Sequence, residues 1–431
     1  MHVPQFSQSI DRLFSTVSAA TARILDRALS DKEIMPDEAA ILFDAEGSEL
    51  LAMVAAADYL RARTVGEVVT YVINRNINFT NVCVKACGFC AFSRGHLAEE
   101  GYYLSTDEIV RRAREAYDLG ASEVCVQAGL APGMDGWHYV NLCRALKEAL
   151  PNIHIHGFSP EEVLYGATLT GVTVGEYLSA LKEAGVGSLP GTSAEILVDE
   201  VRHQVSPGRI STDQWVNVIV TAHELGIRTT STMMYGYIET SRDKAVHLGL
   251  LRDIQKRTGG ITEFVPLSFV YEEAPMYHRN KIPGLRRGAS GAEVMKIYAV
   301  SRLMLNRWIP NLQVSWVKEG PKLSQIALLA GANDFGGTLI NESISTAAGA
   351  RFGQLMKPSE FRALIREMGR IPAERSTIYD RIQIFDAANS PVQRLDEVDN
   401  PNERFGSYQR LARMKEFRFK DFYREQKQQK H

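Results

Sequence analysis

Hydrophobic residues change their spacing near residue 66. Before that point, stretches such as LLAMVAAADYLRAR carry apolar residues at helical spacing with no breaker, which predicts helices from residue 8 to about 62. After it, short strand-like runs alternate with long amphipathic stretches. The expected strands are VVTYVINRNINF (68–79), EVCVQAG (123–129), IHIHGF (153–158), SLPGTSAE (188–195), RTTSTMMYG (228–236), EFVPLSFV (263–270), QVSWVK (313–318) and DFGGTL (334–339).

Eight strands that alternate with helices fit a parallel barrel better than an open sheet. We therefore expect an α/β fold, a (β/α)8 TIM-type barrel with a helical N-terminal extension and a C-terminal appendage. The expected limits are residues 1–65 for the helical extension, 66–345 for the barrel, 346–405 for the appendage packed on it, and 406–431 for a basic C-terminal tail.

The expected tail combines basic and aromatic residues. QRLARMKEFRFKDFYREQKQQKH carries eight Lys and Arg residues against three acids, with Phe417, Phe419, Phe422 and Tyr423 between them. A tail that binds a partner or RNA is one interpretation. We favour a terminal helix whose aromatic side chains rest on the barrel and whose charges are solvated.

Composition and charge narrow the classes of function. The chain has 431 residues, of which 45% are apolar, enough for a substantial core. Its 49 basic and 51 acidic residues give a net charge of -2, which argues against broad electrostatic binding of nucleic acid or an anionic membrane. No apolar run approaches the ~20 residues that span a bilayer, and the N-terminus lacks a secretory-signal pattern. We expect a cytoplasmic protein.

Three of the five cysteines are close together in the sequence. Cys83, Cys87 and Cys90 follow the first expected strand, so they lie on a loop at the C-terminal mouth of the barrel, where barrel active sites form. A small, odd cysteine count does not indicate a disulfide framework. Three thiolates suit an iron–sulfur cube whose fourth iron stays open, because an open iron can bind a ligand and pass an electron into it.

The spacing leaves other interpretations of the cysteines to weigh. A structural zinc site usually needs four ligands, and His96 could be the fourth. CGFC (87–90) alone has the C-x-x-C form of a dithiol redox motif, but this leaves Cys83 unexplained. Buried, inert cysteines are not favoured on a polar loop that contains glycine. The position after a strand favours the iron–sulfur cluster.

The pattern Cys83-x3-Cys87-x2-Cys90, with an aromatic Phe89 before the third cysteine, resembles the signature of radical S-adenosylmethionine (SAM) enzymes. The resemblance implies a 4Fe–4S cluster whose open iron is chelated by the amino and carboxylate groups of SAM. It also implies that one-electron reduction cleaves SAM to methionine and a 5′-deoxyadenosyl radical. The aromatic residue at the Phe89 position commonly packs near the adenine in that superfamily.

A longer match, over about residues 30 to 385, resembles the family of the second subunit of FO synthase. That family transfers the 4-hydroxybenzyl group of tyrosine in deazaflavin biosynthesis. Two menaquinone-pathway families, aminofutalosine synthase and dehypoxanthine futalosine cyclase, share the framework and are the nearest alternatives; a non-enzymatic iron–sulfur or zinc protein is a distant one. The matching segments are NFTNVCVKACGFCAF, VCVQAGL, HIHGFSPEEVLYGA, SLPGTSAEILVDEVR, TTSTMMYG, TEFVPLSFV, QVSWVKEGP, GANDFGGTLINESIS and RIPAERSTIYD.

The family resemblance implies both substrates and partners. L-Tyrosine would be cleaved and its 4-hydroxybenzyl group transferred to 5-amino-6-(D-ribitylamino)uracil, with release of 2-iminoacetate, methionine and 5′-deoxyadenosine. FO synthase subunit 1 would then close the deazaflavin ring, and a flavodoxin or ferredoxin would supply the electron.

No motif for cradling phosphate, GxxxxGK[ST] or a credible GxGxxG, is present.

The resemblance also implies SAM contacts at the ends of several strands. Gln127-Ala128-Gly129 stands where family members often read Gln-Gly-Gly, on a strand that approaches the SAM amino group. Glu195, at the end of the fourth expected strand, would contact the ribose or ammonium of SAM, although an ion pair with Arg202 or Arg209 is equally consistent with the sequence. The implied cofactor-binding residues are Phe89, Gln127, Gly129, Ser159 and Glu195.

Further polar residues are candidates for the substrate cavity. His154 and His156 alternate with isoleucines, so both point to one face, either toward substrate or as satisfied core histidines. For Trp316 we favour core packing, and we expect Cys125, between two valines, to be a small core residue. The substrate candidates are His156, Tyr235, Asn333 and Asp334, with Ser315 and Glu342 as further lining residues.

Overall fold

The computed structural model describes residues 15–380, 382–386, 391–421 and 423. Three helices, Ala19–Leu29, Pro36–Asp44 and Ser48–Val65, form the N-terminal part, which agrees with the expected helices; residues 8–14 of that expectation lie outside the described residues. Ser18 caps the first helix, because its hydroxyl accepts from the backbone N–H of Thr21 at 3.2 Å. The last two helices pack on the outer helices Ser241–Thr258 and Gly291–Leu305, so this extension covers one side of the barrel.

The strands form two sheets. Six parallel strands, β2 to β7, follow one another in chain order, and a second sheet has the order β10-β9-β1-β8. The bounds are β1 Val68–Val72, β2 Asn74–Ile77, β3 Glu123–Val126, β4 His154–His156, β5 Ser188–Leu189, β6 Arg228–Tyr235, β7 Ile261–Ser268, β8 Asp334–Gly337, β9 Ile371–Arg375 and β10 Ile382–Ile384.

Isolated β-bridges join the two sheets into a ring. β7 continues through Phe264–Leu312 and Gln313–Asp334 to β8, which pairs in parallel with β1. A bridge between Arg75 and Ile340 returns the ring to β2. The segments 68–77 serve as one barrel strand, so eight positions close the circle and the predicted (β/α)8 barrel is confirmed.

Helices surround the ring and the chain ends in short helical turns. The α-helices that follow the N-terminal part are Thr106–Asp118, His138–Ala149, Pro160–Thr170, Val174–Glu183, Asp199–Val205, Thr212–Glu224, Ser241–Thr258, Pro275–Arg279, Gly291–Leu305, Trp316–Ala327, Ile344–Ala347, Pro358–Glu367, Pro401–Phe405 and Tyr408–Leu411. The 3-10 turns are Leu328–Ala330, Arg394–Glu397 and Lys415–Phe417. No helix in the described ranges is long and apolar enough to span a bilayer.

Several expected strands are shorter than the sequence predicts, and the fourth and seventh differ most. The fourth ends at Leu189, because Pro190 has no N–H to continue the ladder, and Glu195 lies in the following loop at a positive φ of 40°. At the seventh position only bridges at residues 312 and 313 remain, and a helix begins at Trp316. The prediction that residues 313–318 and 188–195 are full strands is therefore wrong.

The C-terminal appendage extends the sheet instead of only packing on the barrel. β9 pairs in parallel with β1, with Val68 opposite Ile371 and Tyr71 opposite Glu374, and β10 adds an antiparallel edge. The predicted domain limits stay a prediction, but this pairing ties residues 371–375 directly to the first barrel strand.

The described part of the tail rests on the barrel. Phe419 is buried, its ring lies 6.0 Å from that of Tyr103, and the backbone N–H of Tyr103 donates to Phe417 O at 2.8 Å. This packing agrees with the interpretation we favoured, although short turns replace the expected helix. Phe422 lies outside the described residues.

Candidate active site

A cavity of about 410 Å³ runs from the C-terminal mouth of the barrel into its interior. The loops that follow the strands form its mouth, and inward-facing strand residues form its walls and floor. Its lining includes the three clustered cysteines and many polar or charged side chains: Asn74, Cys83, Cys87, Phe89, Cys90, Glu123, Cys125, Gln127, Gly129, His156, Ser159, Glu161, Glu162, Glu195, Arg209, Glu263, Ser315, Lys318, Glu342 and Arg375. The site therefore lies where parallel barrels place their active sites.

Backbone hydrogen bonds fix the loop that carries the three clustered cysteines. The N–H of Cys83 donates to Arg94 O at 3.1 Å, which closes the loop on itself. Gly88 donates to Val205 O at 2.8 Å, and a Cβ at Gly88 would lie only 2.9 Å from that oxygen. Glycine is therefore required between the second and third cysteines, because the backbone of a neighbouring loop passes there.

The three cysteines line one cavity, and two of their sulfur atoms accept hydrogen bonds from N–H groups. The backbone N–H of Lys85 donates to Cys83 Sγ and Nη1 of Arg209 donates to Cys87 Sγ, both at 3.4 Å. Burial raises the pKa of Cys87 to about 12 against the opposing effect of Arg209, so metal binding would release a proton from this thiol. Three thiols on one cavity wall, two of them with N–H donors, fit the ligand set of an iron–sulfur cluster.

A single-metal site is a poorer fit to the same residues. In the described ranges, no three His, Cys, Asp or Glu side chains converge as one metal ion would require. A cube binds each thiolate through a different iron, so its sulfurs need not converge on one point. His96, the possible fourth zinc ligand, instead packs 5.4 Å from the ring of Tyr423.

An ion-pair network borders the cysteine loop. Arg209 Nη2 lies 3.6 Å from Glu195 Oε1 and Arg209 Nε lies 3.3 Å from Glu161, while Arg202 Nη1 lies 3.5 Å from Glu195 Oε2. The guanidinium of Arg209 also lies 5.7 Å from the centre of the Phe89 ring. Both ion pairs that the sequence allowed for Glu195 therefore exist, and its carboxylate still faces the cavity.

The segment after β3 is held by a buried carboxylate. Glu162 accepts from Ala128 N at 2.9 Å and from the N and Oγ of Ser159 at 2.8 and 2.6 Å. Burial raises the pKa of Glu162 to about 7. A Cβ at Gly129 would lie 2.3 Å from Val82 O, so this glycine permits the close passage of the chain's own cysteine loop.

Side-chain hydrogen bonds connect β4 to β5 and β2 to β3 at the cavity floor. His156 Nδ1 and His154 Nε2 both lie within 2.8 Å of Ser188 Oγ, which confirms that the two histidines share a face. Burial lowers the pKa of His156 to about 4, so it is neutral at neutral pH. Burial would raise the pKa of Glu123, but His156 and a 2.8 Å hydrogen bond from Asn74 hold it below its ordinary value.

Arg375 brings the C-terminal segment into the cavity floor. Its Nε lies 2.5 Å from Asp334 Oδ2 and its Nη2 lies 3.1 Å from Glu263 Oε2 and 3.2 Å from Gln313 Oε1. The ring of Tyr379 lies 4.2 Å from its guanidinium carbon. Burial raises the pKa of Glu263 to about 7 although Arg375 opposes this shift.

Three of the predicted substrate residues do not line the cavity. Tyr235 is buried away from it and donates to Glu319 Oε1 at 2.9 Å, because it alternates with the inward-facing Met234. Asn333 precedes β8 and accepts from Arg302 Nη2 at 2.8 Å. Asp334 lies behind Arg375. The structure therefore places none of these three at the cavity lining, and their contact with substrate stays a prediction.

Other expectations about the lining fare differently. His156, Ser315 and Glu342 line the cavity as expected. Trp316 packs in the core, where its indole N–H donates to Gly337 O at 2.9 Å. The expectation that Cys125 is a core residue is wrong, because its side chain faces the cavity and remains partly exposed.

Sequence reasoning missed several charged cavity residues. Glu123, Glu263 and Lys318 all line the cavity, together with Arg375 from the appendage. Strand alternation could have found Glu123 and Glu263, since each begins an inward-facing series of side chains. Nothing in the local pattern marks Lys318 or Arg375, because their surroundings come from distant parts of the chain.

Comparisons with known proteins agree with the site. A family model described as the radical SAM superfamily matches residues 77–250, and one described as the CofH/MqnC C-terminal region matches residues 258–388. Proteins named 5-amino-6-(D-ribitylamino)uracil–L-tyrosine 4-hydroxyphenyl transferase are similar over most of the chain. That of Methanothermobacter thermautotrophicus is 49% identical over 368 residues (85% of this chain, 99% of the relative), and that of Methanocaldococcus jannaschii is 47% identical over 352 residues (81% and 97%).

Solved structures share the fold. The FeFe-hydrogenase maturase HydG from Carboxydothermus hydrogenoformans has a TM-score of 0.65 at 16% identity, over 88% of this chain and 84% of that one. Methylornithine synthase PylB has a TM-score of 0.61 at 21% identity, over 81% of this chain and 97% of that one. These similarities support the barrel and its appendages.

Proposed function

Because the chain belongs to the radical SAM family of 5-amino-6-(D-ribitylamino)uracil–L-tyrosine 4-hydroxyphenyl transferases, we propose that it catalyses this transfer in deazaflavin (FO) biosynthesis. The Cα–Cβ bond of L-tyrosine breaks, and the benzylic carbon joins carbon 5 of the uracil. The remainder of tyrosine leaves as 2-iminoacetate. The observation that carries the proposal is one cavity that is bordered at its mouth by three cysteines and at its floor by buried carboxylates.

We assign Cys83, Cys87 and Cys90 as the ligands of a 4Fe–4S cluster. Their thiols lie on one wall of the cavity, and N–H groups from Lys85 and Arg209 donate to two of the sulfurs. The cluster and SAM, when bound, supply a 5′-deoxyadenosyl radical by one-electron reduction of the sulfonium. The protein contributes a fixed loop and an enclosed space that limits access of water.

Residues beside the cysteines are suited to bind SAM. Phe89, Gln127 and Glu195 line the cavity near the mouth. The Phe89 ring offers an apolar face to an adenine, and the Glu195 carboxylate can accept from ribose hydroxyls or an ammonium group. Ser159 contacts Glu162 and would act mainly by holding this wall, and Gly129 would act by allowing the cysteine loop to pass.

The cavity floor suits the uracil substrate. Glu123 and Glu263 provide buried carboxylate oxygens, and neutral His156 adds a ring nitrogen. 5-Amino-6-(D-ribitylamino)uracil carries ring N–H groups, amino groups and ribityl hydroxyls, and it therefore has many donors to satisfy. A buried site built to accept hydrogen bonds discriminates strongly against molecules that lack those donors.

Two further partners follow from the same reaction. Because ring closure is a separate step, a second radical enzyme, FO synthase subunit 1, would use the product. A flavodoxin or ferredoxin would supply the electron for SAM cleavage. Both assignments rest on the family to which the chain belongs.

An anaerobic assay of the purified protein tests the function. Tyrosine, the uracil, SAM and dithionite should yield the coupled adduct by mass spectrometry, with about four irons per chain. Cys90→Ala should lose SAM cleavage and adduct formation, whereas Cys143→Ala, a buried helical cysteine outside the cavity, should keep both. Consumption of an enolpyruvyl-benzoate or futalosine-type substrate without the tyrosine adduct would favour the menaquinone-pathway alternative. SAM that stays intact would favour a non-enzymatic metal protein.

A further inference from the structure

Lys318 is a cationic residue that lines the cavity and lies outside the cysteine signature. It lies in the first turn of helix Trp316–Ala327, where the buried ring of Trp316 fixes the start of the helix in the core. Its side chain lines the same cavity as Cys90, Glu342 and Ser345.

Lys318 has no close counter-ion in the described ranges. Among the described residues, its ammonium makes no hydrogen bond and no ion pair within 4 Å. The two carboxylates whose charge acts on it, those of Glu342 and Glu319, accept hydrogen bonds from other donors. Glu342 accepts from Ser345 N at 2.8 Å and from Thr346 N at 3.2 Å. Glu319 accepts from the hydroxyl of Tyr235 at 2.9 Å, and burial raises the pKa of Glu319, which favours its neutral form.

The ammonium of this half-buried lysine faces an enclosed cavity without a direct partner among the described residues, so it is available to an anionic ligand there. Burial lowers the pKa of Lys318, in agreement with a site that is shielded from water. We propose that Lys318 binds the carboxylate of the amino-acid substrate, L-tyrosine, in a charge-assisted hydrogen bond. This inference rests on the proposed function and specifies how the cavity orients one of its two substrates.

The chemistry of the ligands selects tyrosine. The ribitylaminouracil has no anionic group, and it would leave the lysine unpaired. The carboxylate of SAM is the group expected to chelate the open iron, and this leaves the carboxylate of tyrosine for a cation on the protein. With its carboxylate at Lys318, tyrosine would lie in the same cavity that the three cysteines line. The phenol ring then extends along apolar wall residues such as Val265, Leu267 and Phe269.

Anaerobic calorimetric titration of the reconstituted holoenzyme with tyrosine tests the lysine. Lys318→Gln should weaken tyrosine binding by about 10- to 100-fold, the usual effect of losing one charged hydrogen bond. Lys318→Arg should retain part of the affinity. Lys322→Gln, four residues further along the chain, beyond the kink at Gly320 and at an exposed position, is the matched control and should bind like the wild type.

A substrate analogue makes the test independent of folding of the variant. Tyrosinamide, which replaces the carboxylate by a neutral amide, should bind the wild type about 10- to 100-fold more weakly than tyrosine, while Lys318→Gln should no longer distinguish the two. Unchanged tyrosine affinity in Lys318→Gln would overturn the proposal. So would a loss confined to SAM binding or iron content, which would assign the lysine to the cofactors. Tyrosine binding that depends on Lys318 without any adduct would contradict only the proposed function.

Discussion

Replacing Arg375 by Met removes the only guanidinium that contacts both Glu263 and Asp334 among the described residues. The side chain of Arg375 is 3% exposed and that of Asp334 is fully buried. Met keeps much of the apolar bulk, and the main change is that two buried carboxylates lose their shared cation. Thr70 Oγ1 at 2.5 Å and Gly336 N at 2.7 Å still donate to Asp334, so its desolvation is offset only in part.

The expected loss is about 3–5 kcal/mol of folding free energy, the usual result of breaking a buried ion pair on one side. At roughly 2 °C per kcal/mol for a large domain, the thermal midpoint should fall by about 6–10 °C. The deficit should be smaller at pH 6 than at pH 8, because protonation of Glu263, whose pKa burial already raises to about 7, removes one of the stranded charges.

Anaerobic thermal unfolding of the holoprotein at both pH values measures this effect. Arg351→Met, at an exposed position, serves as the control and should leave the midpoint unchanged. Adding Asp334→Asn to Arg375→Met should restore part of the loss, since it removes a carboxylate that has become unpaired. A loss that is equal at both pH values and not relieved by Asp334→Asn would refute the electrostatic reasoning and assign the effect to packing.

Two further predictions concern the wall next to the cysteine loop. Gly129→Ala brings a Cβ within 2.3 Å of Val82 O, so it should displace the segment that leads into Cys83. The iron bound per chain after reconstitution should therefore fall. The control is Gly95→Ala, which should bind iron normally because a Cβ at Gly95 meets nothing within 4 Å. Glu162 has an ordinary pKa of 4.5 that burial raises to about 7, so the folded state holds its proton over a pH range where the unfolded state has lost it. The free energy of unfolding of the wild type should therefore fall by roughly 3 kcal/mol as pH rises from 4.5 to 7. In urea unfolding, Glu162→Gln should show a flatter dependence of this free energy on pH. Equal pH dependence in the wild type and the variant would contradict the assignment.

Local sequence patterns predicted the barrel and the position of the cysteine loop. Alternating strand and helix periods depend on neighbouring residues, and for that reason the order of elements could be derived without tertiary contacts. The end of the fourth strand was harder to place. Pro190 stops the ladder, and Ser193 and Glu195 adopt positive φ values of 63° and 40° because the surrounding loops hold them there. Such loop conformations depend on packing that a strand-like composition does not reveal.

The substrate side of the cavity was harder to predict than the cysteine side. The cysteines are neighbours in sequence, whereas Glu263 on β7 meets Arg375 only after the chain has formed the last two barrel positions and returned to pair with β1. Tyr235 and Asn333 were expected at the cavity because each lies near the end of a strand. Such a position defines neither the face of the strand on which a side chain lies nor the end of the barrel at which it lies. Strand alternation sends Tyr235 outward, and Asn333 lies before β8, at the end of the barrel opposite to the mouth.

The pairing of β9 with β1 explains why the C-terminal region belongs to the site. It places Arg375 at the floor of the cavity, where the arginine holds Glu263 and Asp334 in position. Residues 77–250, which match the radical SAM superfamily, carry the cysteine loop and Glu195 at the mouth. Residues 258–388 contribute Glu263, Lys318 and Arg375, while Glu123 and His156 at the floor come from the first part. The proposed radical chemistry therefore draws on the first part of the chain, whereas the proposed substrate contacts draw on both, and a family that changes substrate can keep the cysteine loop while it alters residues of the second part.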